Sequence, residues 1–175
     1  AILIDLGRNS EVKIVEHHLS EEGNFLAVPV LNACVGENGR LRHSVLQSLG
    51  KTTWQVSKQN FFLERDARVE TFTAAFGGNY ARSEIRCELL GRGAEAHSTA
   101  AYFGNGEQTL DFRTFQKHKA PDTTSKLLFK GALDDKMKAK EILKSRSCDE
   151  KMLKKISSKN FLKLIKFINL KIKNN

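Results

Sequence analysis

The sequence predicts an all-β chain of repeated strand-and-turn units, followed by a basic α-helical tail. Three observations indicate this. Side chains alternate with a period of two along much of the chain before position 136, turn residues recur at near-regular intervals, and the composition changes abruptly near residue 136. The chain of 175 residues has the length of about one domain.

Alternating side chains mark five candidate strands, because successive residues of a strand point to opposite faces of its sheet. The sets are Leu26, Val28 and Val30, continuing to Cys34; Leu41, His43 and Val45; Ile85, Cys87 and Leu89; Ala96, Ser98, Ala100 and Tyr102; and Leu110, Phe112 and Thr114. Several residues that we expect to face inward are small or polar: Ala96, Ser98, Thr99, Ala100 and Ala101.

Turn residues punctuate these strands at a near-regular interval. The markers are Gly78, Arg92, Asn105, Pro121 and Asp134. Two architectures fit this rhythm. One is a β-solenoid, in which each turn covers the next. The other is an antiparallel sandwich or meander, in which Asn105-Gly106 forms a hairpin turn. The pattern alone leaves both open.

The net charge of +9 belongs to the tail. Residues 136–175 carry 13 Lys and Arg against 3 Asp and Glu, whereas residues 1–135 carry 16 against 17. The main body therefore has no basic stripe that would follow nucleic-acid phosphates, which argues against a nucleic-acid partner. In the tail, apolar residues recur at helical spacing and predict a basic amphipathic helix: Phe161, Leu164, Ile165, Ile168 and Ile172.

The cysteines and one glycine-containing turn restrict the chemistry. Cys34, Cys87 and Cys148 are too few and too widely spaced for a disulfide framework, which favours a reducing compartment. Gly50-Lys51-Thr52 resembles the end of a phosphate-binding loop, but position 45 is Val and a strand-like segment follows. A phosphate loop must open a helix, so we predict a turn and no nucleotide site there.

Three residues are weak candidates for metal ligands. Cys87, His97 and His118 would come together if successive turns stack, and thiolate and imidazole suit iron or zinc. Their spacings match no standard zinc module, and Cys87, which alternates with apolar residues, is better explained as part of the core. His17-His18 lies in a polar segment that we interpret as an exposed loop.

A resemblance extends this interpretation. Gly91-Arg-Gly-Ala-Glu-Ala-His-Ser-Thr-Ala-Ala-Tyr-Phe-Gly-Asn-Gly106 is followed by His118-Lys-Ala-Pro-Asp-Thr-Thr-Ser125 and by Phe129-Lys-Gly-Ala-Leu-Asp-Asp135. These ordered blocks closely resemble the core of the SufB/SufD family of the SUF iron–sulfur cluster assembly system. Phe72-Thr-Ala-Ala-Phe-Gly-Gly78 and the segment 82–91 resemble the SufD branch, and we find none of the cysteine-bearing segments of the SufB branch.

The resemblance implies a right-handed parallel β-helix over residues 1–140 and a scaffold without catalytic activity of its own. Such a scaffold works with SufB and the SufC ATPase and holds an iron–sulfur cluster transiently, with no stably bound cofactor. It also implies a bacterial cytoplasmic or plastid-like location. The family's helices that dock SufC have no counterpart here. We therefore interpret the chain as a truncated core, with a tail over 141–175 of the kind that a frameshift or truncation produces.

Two other functions remain open at the level of sequence. A carbohydrate-active β-helix enzyme would use carboxylates such as Glu95, Glu107 and Asp111, although one Trp and two Tyr offer little surface for stacking sugars. A membrane-surface protein would act through the basic amphipathic tail. No run of 18 apolar residues predicts a membrane-spanning helix.

Overall fold

The computed structural model describes residues 1–104, 106–133 and 138–146, and all regular structure in these ranges is β-strand. The strands of the described ranges are β1 Ile2–Leu6, β2 Glu11–Leu19, β3 Leu26–Ala27, β4 Val30–Val35, β5 Arg40–Ser48, β6 Trp54–Leu63, β7 Arg68–Ala75, β8 Tyr80–Leu89, β9 Glu95–Gly104, β10 Thr109–His118, β11 Thr124–Leu133 and β12 Lys138–Arg146. No helix within these ranges is long and apolar enough to cross a membrane.

The strands coil into a parallel β-helix with two sheets. The first sheet has the order β1-β4-β6-β8-β10-β12, with β3 also beside β6, and the second has the order β11-β9-β7-β5-β2. Every neighbouring pair is parallel, and from β4 onward the chain alternates between the sheets. One full turn carries the chain from Trp54 to its partner Tyr80, or from Thr109 to its partner Lys138. The turn markers of the sequence, such as Gly78, Arg92 and Asn105, recur about twice in each full turn. The interval between neighbouring markers is therefore half a turn.

The antiparallel alternative is wrong. Glu95–Gly104 and Thr109–His118, which a hairpin at positions 105 and 106 would join, lie in different sheets. The first pairs with β7 and β11, and the second with β8 and β12, all in parallel. The solenoid that the turn rhythm allowed, and that the family resemblance implied, is confirmed.

The interior lies between the sheets and is filled by alternate residues of each strand. Its larger apolar cluster includes Leu31, Leu41, Phe61, Leu63 and Leu89. A second stretch of the interior is polar, with buried side chains from both sheets: His43, Gln47, Gln55, Ser57, Gln59, Thr71, Thr73, Ser98, Thr114 and Gln116. The small and polar inward residues predicted at Ala96, Ser98 and Ala100 are confirmed.

One detail of the predicted strands is wrong. Thr99 and Ala101 belong to the outer face of the second sheet, because they alternate with the inward-facing Ser98 and Ala100. After Pro29 the inward residues are Leu31, Ala33 and Val35, so the Leu26-to-Cys34 set faces outward. Leu26 and Val28 are 68% and 60% exposed. Apolar alternation identifies a strand but not which of its faces is buried.

Turns at the corner after the first sheet stack on each other with a recurring backbone shape. A left-handed residue occurs once in each turn of the β-helix, at Asn9, Asn38, Asp66, Gly93 and Asp122. Backbone hydrogen bonds join adjacent copies, such as Asn38 N to Arg65 O at 2.9 Å and Asp66 N to Arg92 O at 2.9 Å. Asn, Asp and Gly tolerate this conformation best, so the corner selects these residues.

The Gly50-Lys51-Thr52 segment is a turn that leads into β6, as predicted. The Thr52 hydroxyl donates to Gly23 O at 2.6 Å and accepts from Gly23 N at 3.2 Å. Its polar groups therefore hold the preceding turn of the coil. No helix begins here to bind a phosphate.

The strand β12 runs across residue 140, where the sequence places the end of the β-helix. It pairs with β10 along its whole length, from Thr109–Lys138 to Lys117–Arg146. The first residues assigned to the helical tail, 141–146, are therefore β-helix and not α-helix. The rest of the predicted tail, residues 147–175, lies outside the described residues.

Candidate functional site

Cys87 lies in the interior, on the inward face of β8. It is 0% exposed and belongs to the larger apolar cluster, which confirms that it packs in the core. Burial raises the pKa of the Cys87 thiol to about 12, although hydrogen bonds with Gln116 and Ser98 favour the thiolate slightly. A thiol with such a pKa is protonated at neutral pH and is a poor metal ligand or nucleophile.

We expect Cys87 to resist alkylation in the folded protein. Iodoacetamide needs an accessible thiolate, whereas Cys87 is buried and protonated. Cys34 is exposed and provides the internal comparison. Peptide mass spectrometry after brief labelling at pH 8 should find Cys34 modified and Cys87 modified only in denaturant. Equal labelling of both cysteines in the native protein would contradict the buried position.

His97 and His118 occupy different environments from Cys87. His97 faces outward on β9, where Arg68 Nη2 lies 3.3 Å from its Nδ1 and Glu95 lies 3.7 Å from its Nε2. Burial, with the nearby positive charges of Arg68 and Lys126, holds the pKa of His97 below its ordinary value. His97 is thus part of a charged ladder on the outer face.

His118 ends β10 and holds the turn that follows it. Its Nδ1 lies 2.7 Å from Thr123 Oγ1 and its Nε2 lies 3.0 Å from Ser125 Oγ. Burial lowers the pKa of His118 despite the bond to Thr123. Both ring nitrogens are therefore engaged within the His118–Ser125 block of the sequence, where they join β10 to β11.

The three candidate ligands do not come together. Cys87 points inward from the first sheet, His97 points outward from the second, and His118 is bound into a turn. The register places Gln116 beside Cys87 and sets His118 beside Leu89. Among the described residues there is no group of three or more His, Cys, Asp or Glu side chains arranged to hold a metal ion.

A cluster that the sequence did not indicate lies inside the first turns of the coil. Glu16 Oε1 lies 2.5 Å from His43 Nε2, and Glu16 Oε2 lies 2.9 Å from His18 Nε2. Gln55 Nε2 lies 2.8 Å from His18 Nδ1, so the network reaches the opposite sheet. The interpretation of His17-His18 as an exposed loop is wrong, because both lie in β2 and His18 faces the interior.

Local sequence explains how this cluster forms. Glu16 and His18 are two positions apart and therefore share the inward face of β2. Parallel pairing in register sets His43 of β5 beside Ile14, one inward position along from Glu16. A carboxylate only accepts hydrogen bonds, so both histidines donate to Glu16 through Nε2, and His18 Nδ1 is free to accept from Gln55. Two features of the sequence could have indicated the cluster. Glu16 and His18 are two positions apart, and His43 lies in an alternating strand pattern one full turn of the coil later.

The pKa of Glu16 reflects these bonds. Burial alone would raise it, but hydrogen bonds from His18 and His43, with their electrostatic attraction, hold the pKa below its ordinary value of 4.5. A carboxylate whose folded-state pKa is lowered stabilises the fold above its unfolded pKa, and that stability is lost as the pH falls through the folded value. The network therefore stabilises the first turns at neutral pH.

We expect Glu16→Gln to reduce the acid sensitivity of the protein. The substitution removes the Glu16 proton uptake that accompanies unfolding below pH 4.5, while its amide oxygen still accepts from one histidine. Urea unfolding at pH 7 should show the variant less stable by about 1–2 kcal/mol. Unfolding at pH 3.5 should show a clearly smaller difference. A difference that stays constant between the two pH values would contradict this assignment.

The carboxylates suggested for carbohydrate chemistry are also apart. Asp111 is 3% exposed on the first sheet, Glu95 lies on the second sheet, and Glu107 lies in an exposed turn. Burial would raise the pKa of Asp111, but hydrogen bonds from Arg113 and Arg82 hold it below its ordinary value. Asp111 is therefore an ion-paired structural carboxylate, unlike the raised-pKa general acid that glycoside hydrolysis requires.

Comparisons with known proteins point to one family. The family model described as SUF system FeS cluster assembly, SufBD core domain, matches residues 1–148. The chloroplastic protein ABCI7 of Arabidopsis thaliana is 28% identical over 115 residues, which are 65% of this chain and 24% of that protein. An iron–sulfur cluster assembly SufBD family protein of Mycobacterium leprae is 32% identical over 78 residues, 45% of this chain and 20% of the relative.

A SufBD family protein of Staphylococcus epidermidis is 22% identical over 136 residues, which are 71% of this chain and 29% of the relative. The comparison with solved structures found no significant match. The covered shares mean that this chain spans less than a third of the length of these three relatives. The family match covers more than half of the chain and the whole described β-helix. We conclude that this chain belongs to the SufBD family of iron–sulfur cluster assembly proteins and corresponds to its core domain.

Proposed function

We propose that the chain is a SufD-like scaffold component of iron–sulfur cluster assembly that works with SufB-like and SufC-like proteins. The observation that carries this proposal is the family match over residues 1–148. The resemblance of the segments 72–78 and 82–91 to the SufD branch supports the subtype. Relatives in bacteria and in a chloroplast support a cytoplasmic or plastid-like compartment.

The interior supports a structural role for this part of the protein. Three of its polar side chains are held by hydrogen bonds: Gln47 donates to Gly77 O at 2.8 Å and accepts from Phe76 N and Gly77 N at 3.1 Å, Gln55 Nε2 lies 2.8 Å from His18 Nδ1, and Ser57 donates to Arg82 O at 3.1 Å. No metal-holding group occurs in the described part of the chain. We infer that the iron–sulfur cluster is cargo of the assembled complex and not a resident cofactor of this β-helix.

Co-expression tests this proposal. The chain should be produced with SufB-like and SufC-like proteins from the same genome, and the complex isolated through a tag on the SufC-like protein. We expect the chain to co-purify, and the complex to contain iron and acid-labile sulfide in equal amounts. Failure to co-purify from cells in which all three proteins are soluble would overturn the proposed partnership. A continuation of the reading frame beside a SufC-type gene would reveal whether the chain is truncated.

We expect the isolated chain to have no ATPase activity, because the segment 50–52 is a turn followed by a strand. The measurement is phosphate release from ATP by the purified chain, compared with a Lys51→Ala variant. Turnover in the native chain that the substitution abolishes would contradict the assignment of this turn.

A further inference from the structure

The outer face of the second sheet is apolar over part of its length. Six large apolar side chains that are exposed lie on this face or directly beside it: Val15, Leu19, Leu46, Phe76, Phe103 and Leu128. Ala74 and Ala101 lie beside Leu46 in the register, and their small side chains make a floor among the larger ones. We call these eight residues the apolar face. An exposed apolar patch of this kind marks an interaction surface.

The remainder of the same sheet surface carries a surplus of positive charge. Six Lys and Arg residues occupy its outward positions: Lys13, Arg40, Arg42, Arg68, Lys126 and Lys130. Three Glu residues stand among them, which leaves a net charge of +3 with the histidines neutral: Glu11, Glu70 and Glu95. Each of these glutamates is already paired with one of the cations, as Glu70 is with Arg42 at 3.1 Å. The surplus therefore has no carboxylate of its own on this face.

Two unpaired lysines border the apolar face on its β11 side. Lys130 continues the register row of Leu46, Ala74 and Ala101, and Lys126 lies two positions before Leu128. Neither lysine takes part in an ion pair with another residue of the described ranges. A carboxylate placed beside these lysines is attracted, whereas an ammonium group is repelled. The side of the apolar face next to β11 therefore selects for acidic groups.

The dimensions of the apolar face match one helix. Five strands at about 4.8 Å spacing span about 19 Å from the first to the last. Three outward positions along a strand, such as those from Val15 to Leu19, span about 13 Å. A helix is about 10 Å wide and rises about 1.5 Å per residue, so roughly 13 helical residues cross the sheet. Apolar side chains at helical spacing are the usual anchors of a helix on such a surface.

The charge pattern distinguishes among the possible occupants. A second copy of this chain would bring two faces with the same positive surplus together, which is unfavourable. A flat anionic membrane would press its phosphates against Glu11, Glu70 and Glu95 as well as against the lysines. A helix that carries carboxylates along one flank meets Lys126 and Lys130 and leaves the paired glutamates uncovered.

We propose that the apolar face docks an amphipathic helix of another protein, with Asp and Glu residues along one flank of its apolar stripe. The stripe packs on Leu46, Ala74 and Ala101, and the acidic flank lies beside Lys126 and Lys130. This docking surface does not depend on the partnership with SufB-like and SufC-like proteins. It is tested with a synthetic helix, so its failure and the failure of that partnership are separate results.

Methyl NMR of the full chain tests the docking surface. The probe is a stapled helical peptide with Leu at i, i+3, i+4 and i+7 spacing and Glu along one flank, and its counterpart has Lys in place of each Glu. We expect the acidic peptide to shift the methyl resonances of Val15, Leu46 and Leu128 and not those of Leu3 and Leu26, which are exposed on the first sheet. The basic peptide should bind at least roughly tenfold more weakly. Equal binding of the two peptides, or no shift with the acidic one, would overturn the proposal.

The same spectra identify the other occupants. Shifts at Val15, Leu46 and Leu128 that arise when the free chain is concentrated would indicate a second copy. Shifts with phosphatidylglycerol vesicles but not with the acidic peptide would indicate a membrane surface. Protection of these methyl groups from a soluble spin label in the dilute free chain would show that the chain itself covers the face. Each of these three results would refute the proposed occupant.

A charge reversal adds an independent check. Lys130→Glu reverses a charge beside the apolar face, whereas Lys58→Glu makes the same change at an exposed position of the first sheet. We expect Lys130→Glu to raise the Kd of the acidic peptide by roughly tenfold and to lower that of the basic peptide, and Lys58→Glu to change neither. The methyl spectra of the free variants verify that the β-helix is intact. An equal effect of the two substitutions would contradict the placement of the acidic flank beside β11.

Discussion

Gly91→Ala is expected to destabilise the β-helix by more than about 3 kcal/mol, at the upper end of the cost of overpacking a tightly packed site. Gly91 follows the end of β8, at the corner between the sheets, where the chain passes directly over the preceding turn. A methyl group added to Gly91 would overlap the backbone of Glu64 and Arg65. Backbone atoms cannot rotate aside as the end of a side chain can, so adjacent turns would have to separate.

Gly7→Ala is the matched control. Gly7 also lies in a turn that follows a first-sheet strand, but an added methyl group would meet only Ser10 Oγ, at 3.8 Å. Its effect should remain within about 0.5 kcal/mol, as for most exposed substitutions. Urea unfolding followed by far-ultraviolet circular dichroism compares the two variants. Similar midpoints for Gly91→Ala and Gly7→Ala would mean that the corner is looser than the structure shows.

The strands were predictable because alternation is a local property. Ile85, Cys87 and Leu89 face inward as their pattern required, and so do Leu110, Phe112 and Thr114. The local pattern does not show which other strand a given strand pairs with. Whether Thr109–His118 pairs with the strand before it or with Tyr80–Leu89 depends on atoms that lie one full turn apart along the chain. The parallel arrangement therefore came from the family resemblance and not from periodicity.

One long-range signal was present in the sequence but was not recognised. Asn9, Asn38, Asp66, Gly93 and Asp122 recur at the same corner of successive turns, each in the left-handed region. Because Asn, Asp and Gly can all adopt this conformation, the five positions do not share one residue type. They share only a backbone conformation. Aligning these five positions would have given the length of one full turn, where the turn markers gave half.

The Glu16 cluster was missed for a related reason. The polar segment around His17-His18 was interpreted as an exposed loop, whereas both residues lie in β2 and face opposite ways. Only the pairing of β2 with β5 brings His43 close enough to share the Glu16 carboxylate. The same stacking separates Cys87 from His97 and His118. Residue type alone offered these three residues only as weak candidates for metal ligands, because the register between turns decides whether they meet.

Phe61→Ala is expected to destabilise the protein by about 3–5 kcal/mol, the usual cost of removing a buried aromatic side chain. Phe61 is 0% exposed, belongs to the larger apolar cluster and lies between Ala33 and Cys87 on neighbouring strands of the first sheet. The small Ala33 and Cys87 side chains cannot expand to fill the space. Its ring also lies 5.9 Å from that of His43, so the loss would reach the Glu16 network.

Phe62→Ala provides a control of the same chemistry one residue away. Phe62 faces outward between Cys34 and Glu88 and is only partly buried, so we expect a loss of less than about 1.5 kcal/mol. Because side chains alternate, a strand shifted by one residue would exchange the two phenylalanines. Chemical denaturation of both variants therefore tests the register of β6 directly. A larger loss of unfolding free energy for Phe62→Ala than for Phe61→Ala would show that β6 presents its other face to the interior. The polar side chains that β6 contributes to the core would then face outward instead.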